Sequence, residues 1–271
     1  MKKFVIQLIC PDQKGIIAQL TAILSNAENN ILSIEQHVDI EHSKFYIRIL
    51  SESAIEVFPE NELQNLSKNL KGQLYIFNPD RKINVAILGS LESSPIYDLL
   101  IINKANELTF NCPAVISNHN ELSSVAEQFS IHFIHIENNK DLMDALQKNQ
   151  IELIILARYM QIIPPQIVAI YKNNMINIHH GFLPAFKGAK PYHQAYNKGV
   201  KIIGATAHYV TNELDEGPII AQDVVHINHK HSIKQIIQLG REIERSVLYS
   251  AVKSHLEYKI IVCNNKTIIF D

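Results

Sequence analysis

Hydrophobic and polar positions divide the first eighty residues into six short elements. Phe4 to Ile9 form an apolar run that reads as a strand, and Pro11-Asp12-Gln13-Lys14-Gly15 break it as a turn. Ile16, Ile17, Leu20, Ile23 and Leu24 then recur at helical spacing until Asn29-Asn30 stop the helix. Leu32, Ile34, Val38 and Ile40 alternate with polar residues, as do Phe45, Ile47 and Ile49, which predicts two strands joined by a hairpin at Glu41-His42-Ser43. Leu63, Leu66 and Leu70 mark an amphipathic helix, and Leu74 to Phe77 a closing strand. The order βαββαβ is a ferredoxin-like plan. The polar, proline-containing Asn78-Pro79-Asp80-Arg81-Lys82 reads as a linker, so domains are expected over residues 1–80 and 81–271.

Beyond the linker the pattern changes to near-continuous apolar strands alternating with helical stretches. Strands are predicted at 83–88, 113–117, 132–135, 151–157 and 175–179, with helices near 95–108, 121–129, 140–148 and 165–171. Such alternation implies an α/β domain, a doubly wound and mainly parallel sheet covered on both faces. Further strands follow at 202–210 and 218–227, then one long helix carrying Ile236, Ile243, Val247 and Val252 on one side, with Ser232 placed to cap it. The terminal apolar runs around Asn264-Asn265 read as a hairpin.

Composition narrows the classes. A 46% hydrophobic and 19% charged chain is an ordinary globular balance, and a net charge of −2 argues against a nucleic-acid-binding surface. Cys10, Cys112 and Cys263 form no CxxC pair, which fits a reducing, cytoplasmic compartment and neither a disulfide framework nor a zinc site. No segment holds eighteen consecutive apolar residues, and the basic start MKK precedes an apolar run too short for a signal sequence, so neither a membrane span nor export is expected.

The densest chemistry lies in residues 176–199, INIHHGFLPAFKGAKPYHQAYNKG. Asn177 and His179 alternate with Ile176 and Ile178, so both polar side chains leave one face where a buried strand ends, the position at which open α/β sheets bind ligands. His180 is expected on the opposite side. Pro184, Gly188 and Pro191 then predict a walled loop rather than a longer strand or helix. Asp215 stands in the connection between two later strands, and taken singly both it and Asn177 are also common turn residues.

Asn177-Ile178-His179, Leu183-Pro184, Gly188 and Leu214-Asp215-Glu216-Gly217-Pro218-Ile219-Ile220 together resemble the folate-dependent formyltransferase family. The fuller string HHGFLPAFKGAKPYHQAY is similar to the branch that carries a small N-terminal regulatory domain. The N-terminal Asp12 to Ala18 string, D-x-x-G-I-I-A, likewise resembles an ACT domain.

The resemblance implies hydrolysis of 10-formyltetrahydrofolate to formate and tetrahydrofolate, feeding one-carbon and purine metabolism, with no separate cofactor and no metal. Asn177 would donate to the developing oxyanion, His179 would donate or shuttle a proton, and Asp215 would hold water or act as base. Arg158-Tyr159-Met160-Gln161-Ile162-Ile163 resembles the segment that holds the pterin, with Met160, Ile162 and Ile163 as walls, peptide groups from Gln161 reading the ring edge, and Gly217 beside it. Asp12 and Gly15 would serve an amino-acid effector, glycine or methionine, in a homo-oligomer formed through the ACT domains.

Three further features qualify the picture. His193 and His208 are candidates to support the site from the loop and the neighbouring strand, whereas His226, His229 and His231 read as a solvated loop. Gly181 stands where the family commonly has Ser, removing a hydroxyl from the loop. Glu92 and Pro95 occupy the turn where a transferase would cradle a substrate phosphate, and both disfavour an anion. Rival readings are a formyltransferase to an amine such as glycinamide ribonucleotide, and a non-catalytic amino-acid sensor.

Overall fold

The alternating N-terminal positions build a four-stranded antiparallel sheet with two helices on one face, in a computed structural model that describes residues 1–53, 58–185 and 191–271. The elements are β1 (Lys2–Pro11), α1 (Ile16–Asn26), β2 (Asn29–Asp39), β3 (Lys44–Ser53), α2 (Glu60–Asn69) and β4 (Gln73–Phe77), with strand order β2-β3-β1-β4. Ile6 and Leu8 of β1 and Ile47 and Ile49 of β3 meet Leu20, Leu24 and Leu63 from the helices, all fully buried. Each such side chain contributes about 1.5–3 kcal/mol by leaving water.

Period two sends Gln7 and Arg48, paired in register across β1 and β3, to the other face, yet both are buried there. Residues Glu257–Ile261 cover them and belong to the same unit. Gln7 Nε2 donates to the Tyr258 carbonyl at 2.8 Å, and Arg48 donates from Nε to Tyr258 O and from Nη2 to Glu257 O, both at 3.0 Å. Tyr258 also stacks on Phe77 of β4, ring centroids 4.2 Å apart. The expected division at residue 80 therefore needs correction at the far end of the chain. The first unit comprises Met1–Arg81 with Glu257–Ile261 and Ile268–Asp271, and the second Lys82–Leu256 with Val262–Thr267. Polar side chains inside β1 and β3 needed hydrogen-bond partners, and distant backbone supplies them.

The second unit is an α/β layer structure. Its strands are β5 (Asn84–Gly89), β6 (Asn111–Ser117), β7 (His132–His135), β8 (Leu153–Leu156), β9 (Met175–His179), β10 (Ile202–Tyr209) and β11 (Ile219–His226). They lie in the order β11-β10-β9-β8-β5-β6-β7. The five from β9 to β7 run parallel, and β10 and β11 complete the sheet antiparallel. Because the chain starts at β5, moves out through β6 and β7 and returns to the other side at β8, the order reverses between β5 and β8, and ligand sites open beyond the carboxyl ends of such strands.

The helices are α3 (Ser94–Lys104), α4 (Ser123–Gln128), α5 (Asn139–Lys148), α6 (Pro165–Ile170), α7 (Pro191–Lys198) and α8 (Ile233–Leu256). Ser232 and Gln235 cap α8 reciprocally, the Ser232 N–H donating to Gln235 Oε1 at 2.8 Å and the Gln235 N–H to Ser232 Oγ at 3.4 Å. A hairpin of β12 (Ile260–Cys263) and β13 (Lys266–Ile269) follows.

Helix α7 overturns the expectation that Pro191 belongs to a walled loop. Pro191 does not break this helix, because it sits at its first residue, where its fixed φ suits helical geometry and no N–H is needed. Gly188 lies outside the described residues. Among those described, no helix is long and apolar enough to cross a membrane.

Candidate active site

Strand β9 delivers Asn177 and His179 to the carboxyl edge of the sheet, and the β10–β11 connection brings Asp215 against them. His179 Nδ1 lies 3.2 Å from Asp215 Oδ2, with the ring buried. Across the antiparallel pair, His208 of β10 sits in register with Asn177, beside an irregularity at Ala207/His208. Its Nε2 is 3.2 Å from Asn177 Nδ2 and 3.6 Å from Asp215 Oδ1, while its Nδ1 is 2.9 Å from the Tyr209 carbonyl. A carbonyl only accepts, so His208 carries a proton on Nδ1, and Nε2 receives the amide N–H of Asn177. The three expected residues thus stand together with His208 as a fourth.

Local backbone explains why Asp215 stays there. It adopts a left-handed φ of +56°, held by its neighbours. A Cβ at Gly217 would lie 1.8 Å from the Tyr209 carbonyl oxygen, so only glycine lets the connection pass this close to β10. Asn265 Nδ2 and Thr267 Oγ1 donate to the carbonyls of Glu216 and Ile219 at 2.9 and 2.6 Å. The hydrogen bond from His179 above all, with the His208 ring beside it, holds the Asp215 carboxyl far below its ordinary pKa despite burial. Such a carboxylate is a poor proton acceptor and a strong anchor for an imidazole, which shifts the expected base role of Asp215 toward orienting His179. The other ring nitrogen, Nε2 of His179, is buried without a partner.

A cavity of about 620 Å³ opens over these groups, lined by Asn177, His179, Asp215, Met160, Gln161 and Ile162 among others. A smaller adjoining space of about 160 Å³ is reached by Ile163, Asn177, His208 and Asp215. Met160 and Ile162 are 60% and 80% exposed, so apolar surface stands uncovered beside the polar cluster. Gly217 lines neither space, and its buried place against Tyr209 gives it a backbone role instead of the expected contact with substrate.

The loop after β9 is tied down despite Gly181. Thr206 Oγ1 donates to the Gly181 carbonyl at 2.9 Å and accepts from the Leu183 N–H and Gln222 Nε2, each at 3.0 Å. His180 corrects the period-two expectation. The strand ends at His179, and His180, in the following bend, lines the same cavity as His179. His193 lines that cavity too.

Sequence reasoning missed a charged cluster in which Glu244 and Tyr192 are buried and Arg158 is half-buried. Arg158, just after β8 and in left-handed backbone, donates from Nε and Nη2 to the two carboxylate oxygens of Glu244 on α8 at 2.8 and 2.6 Å. Tyr192 of α7 donates its hydroxyl to Glu244 at 2.6 Å, its ring against Gly240, where a Cβ would come within 2.1 Å of it. Burial and the neighbouring Glu244 raise the Tyr192 pKa, so it remains a donor. Glu92, expected to repel anions, accepts from Ser94 and Arg241 at 2.7 and 2.9 Å. Its charge is thereby matched inside the protein. The one signal available was a glutamate next to Ile243 on an otherwise apolar helix face.

Asp12 and Gly15 lie at the β1–α1 turn. Gly15 takes a φ of +85° and Asp12 is exposed, with its N–H donating to Ser43 O at 2.9 Å. Among the described residues no three His, Cys, Asp or Glu side chains stand together to hold a metal ion, and His231 instead accepts the Asn228 N–H at 3.0 Å.

Fold and site together define a formyl transferase domain joined to an ACT domain. The Formyl transferase family model matches residues 83–252 and the ACT domain model residues 4–59. Curated relatives named formyltetrahydrofolate deformylase include those of Escherichia coli K12, 40% identical over 99% of each chain, and Bacillus subtilis, 41% identical over 97% of this chain and 92% of the relative. The crystal structure of a formyltetrahydrofolate deformylase from Pseudomonas syringae pv. tomato DC3000 covers 100% of this chain and 95% of its own, at a TM-score of 0.96 and 37% identity. A phosphoribosylglycinamide formyltransferase from Anaplasma phagocytophilum, 29% identical, covers 70% of this chain and 96% of its own at a TM-score of 0.66. The chain belongs to the formyltetrahydrofolate deformylase family.

Proposed function

We propose that the protein hydrolyses 10-formyltetrahydrofolate to formate and tetrahydrofolate, supplying formate and balancing one-carbon pools for purine synthesis. The carrying observation is the convergence of Asn177, His179 and Asp215 on one cavity whose Met160 and Ile162 wall is left uncovered. A flat pterin ring would cover that wall, and the formyl group would reach Asn177. Asn177, with one N–H committed to His208, has its second N–H free for the carbonyl oxygen as it becomes negative. Asp215 holds His179 so that Nε2 faces the reacting amide. No cofactor or metal enters the scheme.

Water is the acceptor in this reading. The turn at Glu92 and Pro95 offers no phosphate cradle, since Arg241 and Arg158 are already engaged by Glu92 and Glu244. Incubation with and without glycinamide ribonucleotide, with products identified by mass spectrometry, tests it. Stoichiometric formate in both tubes is expected, whereas formate-free turnover that requires the amine would sink the hydrolase.

The ACT domain is proposed to bind a small amino acid, glycine or methionine, near Asp12 and Gly15 and to pair subunits of a cytoplasmic homo-oligomer. Nucleic acid and membrane are not proposed as partners. An amino acid that changes the rate or melting temperature of the full-length protein is the expected result, and indifference to all twenty would remove the effector.

A further inference from the structure

Asn177, His179 and Asp215 are accounted for at the reaction cavity by donating to an oxyanion or orienting a donor, whereas the histidine that follows β9 in the chain is not. That residue is His180. It lines the 620 Å³ cavity beside His179, with the two rings stacked at 5.5 Å between centroids and 25° between planes. The Tyr192 ring centroid is 6.1 Å from its own. His180 makes no hydrogen bond to any described residue. An imidazole that borders a cavity with both ring nitrogens unengaged is available to solvent or substrate in a way that His179 and His208, held by Asp215 and Tyr209, are not.

We infer that His180 is a catalytic residue for the hydrolysis, holding the attacking water and taking its proton. The inference rests on the hydrolase reading and adds the group that makes water the nucleophile. In the step, the water oxygen bonds to the formyl carbon and one water proton passes to His180, while the carbonyl π pair moves onto the oxygen facing Asn177. Collapse reforms the carbonyl and breaks the carbon–nitrogen bond, whose pair stays on nitrogen and takes a proton from His179. Formic acid ionises to solvent, and the proton on His180 returns through solvent to His179. One water and one formamide thus give one amine, one formate and one proton.

The surroundings keep the lone pair available. Burial first, then the charge of Arg158, lower the His180 pKa to about 4, with Glu244 and Asp215 partly opposing and His179 adding to the effect. Arg158 exerts this influence from a fixed place because Glu244 holds it with two hydrogen bonds and is itself held by Tyr192. Asp215, with its own pKa depressed, does not compete for the water proton.

The test compares full-length wild type, His180→Ala and His180→Gln for formate release from 10-formyltetrahydrofolate and, separately, for equilibrium binding of tetrahydrofolate. The expected result is a fall in kcat of about 100-fold or more for His180→Ala with tetrahydrofolate Kd within about threefold, partial rescue by added imidazole, and an intermediate rate for His180→Gln. A near-wild-type kcat in His180→Ala, a loss of kcat that merely tracks loss of binding, or absence of imidazole rescue would overturn it. Should His180→Ala fail to fold, His180→Gln decides alone: a tenfold fall at unchanged Kd supports the role and a wild-type rate ends it. Wild-type protein that binds tetrahydrofolate yet releases no formate would instead condemn the hydrolase reading, and with it the premise.

Discussion

Arg48 is buried in the first unit and Arg158 half-buried in the second, and the two are handled in opposite ways. Arg48 spends its hydrogen bonds mostly on the neutral carbonyls of Glu257 and Tyr258, with Glu35 at 3.3 Å from its remaining nitrogen, and burial lowers its pKa against the partial help of Glu35 and Glu257. Arg158 has a full bidentate carboxylate in Glu244, which more than offsets the cost of burial and raises its pKa. Neutral acceptors fix position without cancelling charge, so Arg48 serves as a clamp on backbone. A carboxylate fixes position and leaves a dipolar pair whose field acts on neighbours, and the neighbour of Arg158 is a histidine in the reaction cavity.

The largest effect that would sharpen this contrast is at Asp215. Asp215→Asn should lower kcat by roughly 10³–10⁴-fold while leaving the folded state intact, since an amide cannot anchor His179 in the same tautomer. Formate release and urea denaturation measured together would show it, and wild-type turnover would refute the assigned role. Next is Glu244→Gln, which strands the Arg158 charge and is expected to cost about 3–5 kcal/mol in urea unfolding, with His180 changing its titration by NMR. Arg48→Met should cost less, about 2–3 kcal/mol, and leave the His180 titration where it was. An equal response of His180 to both substitutions would erase the distinction drawn between the two arginines.

Acid should act mainly through the second unit. His180 and His255 both have folded pKa values lowered to about 4, His255 by burial, where it takes the Tyr209 hydroxyl at 2.8 Å. Each binds its proton more readily unfolded, so the stability due to the neutral form is intact above the unfolded pKa of about 6.5 and is lost as pH falls from there toward 4. The expected slope is about 1.4 kcal/mol per pH unit for each proton, read from urea midpoints across that window, and His255→Phe should halve it. Asp215 has the opposite sign. Its depressed pKa contributes stability above the ordinary carboxylate value of about 3.9, lost only below it, so it plays no part in that window. Smallest of all, Thr206→Val should cost about 1–3 kcal/mol and raise KM a few fold, because the Leu183 N–H and Gln222 lose their shared acceptor.

Much of this was legible in the chain. Period two placed Asn177 and His179 together, and the apolar runs around residue 215 put Asp215 in a connection. Periodicity fails where an element stops, and His180 lies one residue past the end of β9, so the alternation that would turn it away no longer applies. Tyr192 was hidden because Pro191 reads as a breaker until its position at a helix start is known. Glu244 and Arg158 are 86 residues apart and Arg48 and Tyr258 are 210 apart, and pairing over such separations leaves no local trace.

The return of Glu257–Ile261 onto β1 and β3 has a consequence for synthesis. A ribosome delivers the sheet of the first unit early, but the backbone that covers Gln7 and Arg48 emerges only after all of α8. Until then one face of that sheet keeps its arginine in water, and the N-terminal unit waits on the second to be made before it can close. Cutting the gene at residue 80 would therefore leave both products with raw surfaces, and any assay of the ACT unit belongs on the uncut chain.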